Sequence, residues 1–403
     1  YLKMSDGLND NPCWINPANP LCAGTDIQAD FNAPGNRSDL VSAGPFRRFE
    51  PGDVITITYA YVIGPKNDDG NPNTANTEAQ RANLKRNANW AQTAYNGEDV
   101  NFNGLLDDGE DVDGNGEITR FILPSPPDIP RTHIEAGENF IDVYWSNNAE
   151  KSVDPITRLG DFEGYRVYLS RLGFDVTGTP NLAEDFVQIA SYDSTGNGIF
   201  FDNGFDAIKL QEPVNFQGDT TSYHYLYRID NIQNGWQHAV AVTAFDQGNP
   251  ASNLESLESS FLANDFRVFP GTPENGNMED NEPFAYPNPY YYGASWEGLS
   301  NFQEESRKIV FANLPARCRI TIFNPAGDLI DSFAHDENYD GQDIRWFQTF
   351  GSENPDENVF SGGEHAWDLL SVDTQIISRG LYLFTVEDLD SGDTYTSKFV
   401  IIK

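Results

Sequence analysis

The sequence predicts a mainly β protein: tandem β-sandwich domains, with one short helix and an acidic loop segment in the N-terminal region. Three observations carry this. From Phe140 onward, apolar residues recur at every second position in short runs, the period of half-buried strands. Gly, Asn and Asp punctuate the runs, as at Asn234-Gly235, which is the turn chemistry of antiparallel connections. Helical spacing occurs well once, at Leu84, Ala88, Ala91 and Tyr95.

Taken in order, a strand is predicted over Asp53 to Ile63. Ile55, Ile57, Tyr59, Tyr61 and Ile63 share one face, after a turn at Pro51-Gly52. Thr77 and Gln80 form a capping box for the helix. An Asp- and Gly-rich segment over residues 97–120 completes a first domain, 1–122, and the proline cluster 123–130 reads as a linker. Strands at Phe140 to Trp145, Gly164 to Tyr168, Phe186 to Ala190, Tyr223 to Ile229 and His238 to Phe245 fill a second domain, 131–269. A linker rich in Asn, Glu, Gly and Pro spans 270–283. The third domain, 284–403, has strands at Arg307 to Phe311, Arg319 to Phe323, Glu364 to Asp368, Ser378 to Val386 and Lys398 to Lys403.

The 403 residues suffice for several cores, and 38% apolar with 13% aromatic content is that of a folding chain. Lys and Arg number 25 against 62 Asp and Glu, a net charge of -37. Such a surface repels phosphate backbones and anionic lipid, so nucleic acid and membrane surfaces are poor candidate partners, and cations are favoured. No apolar run has the length of a transmembrane segment. The start, Tyr1-Leu2-Lys3-Met4, reads as a processed piece of a longer precursor. Cys13 and Cys22 bracket a proline-rich loop and are predicted to form a disulfide in an oxidising compartment; Cys318, inside a strand pattern, is expected in the core.

The sharpest motif runs from Asp99 to Glu110. It matches the twelve-residue calcium loop D-x-[DN]-x-[DN]-G-x5-E at every specified position. Calcium takes six to eight oxygens, which short acidic and amide side chains on alternate residues of a tight loop supply. Asp99, Asn101, Asn103, the carbonyl of Leu105, Asp107 and Glu110 are the expected ligands, with Gly104 at the sharp turn. The segment repeats with period twelve, bringing Asp111, Asp113 and Asn115 into equivalent places. Ile122 stands where the second closing glutamate should be, so that site is expected to be weaker or shared. With no second helix after it, the pair resembles dockerin-type or thrombospondin type 3-type loops more than a switching EF-hand.

Catalytic signatures are missing. His133, His224, His238, His335 and His365 lack metal-ligand spacing, no P-loop or dinucleotide fingerprint occurs, and Gly293 to Gly298 misses the nucleophile-elbow pattern. The chain is therefore expected not to be an enzyme. Tyr290, Tyr291 and Tyr292 with Trp296 read either as a sugar-stacking platform or as residues packing a linker onto its sandwich.

Val143-Tyr144-Trp145, Gly164-Tyr165-Arg166-Val167-Tyr168 and Ala239 to Asp246 make the second domain resemble a fibronectin type III module, of the immunoglobulin/fibronectin-like sandwich class, which implies a spacer or binding scaffold. The order Tyr286-Pro287-Asn288-Pro289, Leu314-Pro315, Gly327-Asp328-Leu329-Ile330, Trp367-Asp368, Gly380-Leu381-Tyr382 and a basic, apolar last strand resembles a type IX secretion C-terminal sorting domain. That resemblance implies export across the outer membrane of a Gram-negative bacterium, with the secretion translocon or cell-surface components as partners. An Asp- and Asn-rich insertion from His335 to Asn358 departs from the pattern. Together these give a secreted, calcium-stabilised structural or adhesive surface protein. The alternatives are a non-catalytic substrate-binding region of a secreted hydrolase, with polysaccharide as ligand, and a self-associating filament or sheath subunit.

Overall fold

The computed structural model describes residues 48, 50–63, 78–155, 157–170, 185–249, 254–291, 293–294, 297–298, 302, 306–352, 354 and 357–402. Cys13, Cys22, Thr77, Tyr292 and Trp296 lie outside them. The chain divides into two units, residues 1–122 with 251–253, and residues 123–250 with 254–403.

In the first unit the helix is present as α1 (Glu78–Asn96). Gly97 ends it in the left-handed region, with φ 58°, and a Cβ there would sit 2.1 Å from the Thr119 carbonyl oxygen, so only glycine fits. The strand expected over Asp53 to Ile63 is not realised. The segment is extended, but among the described residues it joins no sheet, and Tyr61 and Ile63 are 87% and 85% exposed. Alternation specifies a half-buried strand only where a partner edge and a covering layer exist, and neither is encoded in the segment itself.

The second unit begins with a Greek-key sandwich. One sheet has the order β1 (Thr132–Gly137), β2 (Phe140–Trp145), β6 (Tyr223–Asp230), β5 (Lys209–Val214); the other contains β8 (Asp265–Phe269), β7 (His238–Asp246), β3 (Phe162–Ser170) and β4 (Val187–Asp193). Ile141, Val143 and Trp145 of β2 meet Tyr165 and Val167 of β3 and Val240 and Val242 of β7 in the core. β7 is buried along its whole length because both faces are covered. On the face away from the core, Arg166 lies 4.0 Å over the Phe245 ring and pairs with Glu258, which also accepts hydrogen bonds from Tyr168 and Thr243. An apolar run on both faces of a strand is thus explained by what crosses it.

The C-terminal sandwich sets a five-stranded sheet, β10 (Tyr290–Tyr291), β17 (Thr394–Ile402), β16 (Gly380–Asp388), β12 (Arg317–Phe323), β13 (Leu329–Asp336), against a three-stranded one, β15 (His365–Trp367), β11 (Ile309–Ala312), β9 (Phe284–Tyr286). Cys318, Ile320 and Ile322 alternate inward on β12, as do Tyr382, Phe384 and Val386 on β16. Cys318 is in the core as expected, its thiol pushed up to about 12 by burial. Tyr290 is also a core residue, 1% exposed and bonded to Glu297, so it packs the sandwich and offers no platform.

The insertion after His335 is structural. It contains an unpredicted helix, α2 (Arg345–Phe350), whose Trp346 and Phe347 are buried against Phe269 of the first sandwich and Val310 and Ala366 of the second. It then forms β14 (Asn358–Phe360), which runs parallel to β8 and extends the first sandwich's sheet. Residues of the stretch 270–283 are tied down too: Thr272 and Asn275 are buried, and Asn275 N–H donates to the Leu314 carbonyl at 2.8 Å.

Two histidines far apart in sequence meet beneath this insertion. His335 and His365 have their Nδ1 atoms 3.3 Å apart; His335 Nε2 is 3.0 Å from the Gly362 carbonyl, and His365 Nε2 is 2.8 Å from Asp343. A carbonyl only accepts, so His335 donates from Nε2 and presents a bare Nδ1 to His365. Burial, with His365 beside it, lowers the His335 imidazole to about 4. An unfolded imidazole takes its proton near 6.5, so stability falls as pH drops from 6.5 towards 4, by up to about 1.4 kcal/mol per pH unit. Urea unfolding at pH 7, 5.5 and 4.5 should show wild type losing stability relative to His335→Gln as pH falls; equal slopes in both proteins would refute it.

Candidate metal centre

The acidic loops follow α1 directly. Short side chains bend the backbone around themselves: Asp99 accepts hydrogen bonds from Asn103 N–H (2.9 Å) and Gly104 N–H (3.0 Å), Asn101 from Asn103 N–H, and Asn103 from Leu105 N–H. The second copy repeats three of these four bonds twelve residues on, Asp111 accepting from Gly116 N–H, Asp113 from Asn115 N–H, and Asn115 from Glu117 N–H. The motif therefore encodes two loops of one shape.

Their closure is reciprocal. Glu110, at the twelfth position of the first loop, accepts from Val100 N–H (3.0 Å) and Asp107 N–H (2.9 Å). In the second loop the equivalent donors, Val112 and Thr119, give their N–H groups to Glu98, at 2.8 and 2.9 Å, and Asp113 N–H adds a third at 3.3 Å. Glu98 thus supplies what Ile122 does not. It is 1% exposed, and these three backbone donors, Thr119 foremost, hold its carboxyl below the usual carboxylate range. Each copy begins Gly-Glu-Asp, and each glutamate closes the other copy's loop.

The two loops differ in what converges. Among the described residues, one group of three acids brings ligand oxygens within 4.8 Å of one another: Glu98, Asp111 and Asp113. In the first loop, Asp107 Oδ2 is met by the side-chain amides of Asn101 and Asn103, both at 2.8 Å. Their oxygens are turned to the Asn103 and Leu105 N–H groups, so amide nitrogens, not oxygens, face Asp107 here. Asp99 is fully buried, and Arg120 reaches it at 3.2 Å; the guanidinium also meets the Tyr95 and Asn96 carbonyls at the end of α1 and lies 5.0 Å over the Tyr95 ring. Leu105 turns its side chain to solvent, 64% exposed. Sequence reasoning did not name Glu98, for which the twelve-residue repeat itself was the signal.

No known protein-family model matches the chain, and no curated protein matches it. Among solved structures it is similar to a central fibronectin-III array of RIM-binding protein (10% identity, 70% of this chain and 69% of that one, TM-score 0.18). It is similar also to PorZ, an essential bacterial surface component of the type-IX secretion system of Porphyromonas gingivalis (13% identity, 72% and 48%, TM-score 0.21). A two-domain fibronectin type-III segment of chicken tenascin is a third (7% identity, 68% and 99%, TM-score 0.21). The chain spans about half the length of the PorZ chain. At these TM-scores the likenesses are partial, and the sandwich architecture rests on the strand order given above.

Proposed function

We propose that this is a secreted surface protein with a structural or adhesive role, in which two calcium ions rigidify the acidic segment after α1. The observation that carries the reading is the reciprocal closure of the two loops by Glu110 and Glu98. One ion would lie among Asp99, Asn101, Asn103, the Leu105 carbonyl, Asp107 and Glu110, the other among Glu98, Asp111, Asp113 and Asn115. All are oxygen donors, the chemistry of a hard cation. Export through the C-terminal domain is proposed on its motif order, and a binding or scaffolding role in place of catalysis on the missing catalytic constellations. Among the described residues no helix is long and apolar enough to cross a membrane.

Native mass spectrometry and calorimetry of the full chain test the metal reading. Two calcium ions should bind, at the affinities of about 10⁻⁴ to 10⁻³ M usual for extracellular modules, with magnesium much weaker. No uptake, or uptake equal for both ions, would remove calcium from the account. Fusing the residues from Pro270 to Lys403 to a reporter in a type IX-competent host tests export separately; retention in the periplasm would count against it.

A further inference from the structure

An open groove of about 980 Å³ runs along the outer side of β1. β1 is the last strand of its sheet and pairs only with β2, so among the described residues its far edge has no ladder partner. The facing wall is formed by the end of β14, which lies against β1, together with Ser361, Glu274 and Glu337. Ser361 there has a buried hydroxyl with no hydrogen-bond partner among the described residues. An unpaired edge is a template on which an extended segment can add as a strand.

The lining selects charge. Glu135 and Glu138 stand on the β1 side, with Glu274 and Glu337 opposite, and all four are exposed. Arg228, the lining residue with a positive charge, does not offset them, because Asp142 holds it through two bonds of 2.6 Å and its guanidinium lies 4.1 Å over the Phe140 ring. Nor do these four carboxylates gather on a point, since the metal-sized acid group among the described residues is elsewhere, at Glu98, Asp111 and Asp113. Negative charge spread along both walls of an open groove suits cations spread along a chain, not a single ion. A second copy of this chain, at net charge -37, is disfavoured as the occupant.

We infer that the groove receives an extended basic segment of another protein, its backbone added to β1 and its lysines or arginines set against Glu135, Glu138, Glu274 and Glu337. This stands independently of the calcium reading.

The test uses the full chain and a fluorescent decapeptide of alternating lysine and threonine, read by anisotropy at low salt. Three comparisons decide it. The same peptide methylated on every backbone nitrogen should bind at least about tenfold more weakly, since neither of its edges can then donate to β1. A Glu135→Gln, Glu274→Gln, Glu337→Gln variant should lose about tenfold or more, while Glu255→Gln, Asp373→Asn, Glu387→Gln, three exposed acids outside the groove lining, should bind as wild type. Equal weakening by both triple variants, or equal binding of the methylated peptide, would show only an acidic surface attracting a polycation and would overturn the inference. Absence of binding would overturn it as well.

Discussion

Trp346→Ala is expected to lower the unfolding free energy of the two-sandwich unit by about 3–5 kcal/mol, the usual cost of deleting a fully buried tryptophan. Its ring packs between Phe269 of the first sandwich and Phe347 and Phe350 of α2, and the Lys308 ammonium lies 3.9 Å from the ring centre. Lys308 is 1% exposed, with Gly235 carbonyl at 3.3 Å, and burial lowers it to about 7. Glu364 lies in the same joint, accepting from Thr272 N–H (2.9 Å) and Tyr286 hydroxyl (2.7 Å), and burial raises it to about 7. The signs are opposite. Unfolded lysine holds its proton up to about 10.5 and folded Lys308 releases it near 7, so stability rises with pH across that window. Folded Glu364 keeps its proton up to about 7 and the unfolded carboxyl loses it near 4.5, so stability falls with pH across that lower window. Each slope is at most about 1.4 kcal/mol per pH unit. Lys308→Met should flatten the upper limb and cost far less than Trp346→Ala, because an apolar chain replaces a buried charge. Urea unfolding from pH 5 to 10 is the measurement. An upper limb that persists in Lys308→Met would assign it to other groups.

Calcium at a hundredfold excess over its dissociation constant should stabilise the loop segment by about 2.7 kcal/mol per site. Glu110→Gln should remove the first site and Glu98→Gln the second, whereas Glu117→Gln, at an exposed residue outside the closing pair, should leave both. Glu98→Gln has a second effect that needs no metal, and Glu110→Gln shares it because Glu110 too accepts N–H groups through both oxygens. Both Glu98 oxygens accept from backbone N–H groups, so an amide nitrogen at either position faces a donor and leaves one unsatisfied, at about 1–3 kcal/mol. Thermal melts and protease cutting within residues 97–120, with calcium, magnesium and chelator, separate the two contributions. Identical behaviour in all three solutions would reduce the segment to an acidic turn.

Much of this was legible in the residues, and the failures have physical causes. Alternation found β2, β3, β4, β6 and β7, as at Ile141, Val143 and Trp145, which point into one core, but it did not find β1, β5 or β8. The same alternation misled at Ile55 to Ile63, where the segment's own pattern says nothing about a partner. Glu98 lay hidden because a motif read forwards from Asp99 looks for its closing acid ahead, not one residue behind. The His335–His365–Asp343 contact depends on strands brought together by the fold. Trp346, Phe347 and Phe350 carried a helix-like spacing, but the polar residues around them set the average of the insertion.

The ladder between β14 and β8 bears on how the molecule would respond to being cut. A protease acting on residues 270–283 would break the covalent path between the sandwiches without parting them. The nicked halves would stay clasped through three paired residues, Asn358 with Arg267, Val359 with Val268 and Phe360 with Phe269, and through the aromatic stack behind them. Maturation by trimming at that stretch alone would therefore leave the tail attached. The ladder thus gives the two sandwiches a second, non-covalent tie beside residues 270–283.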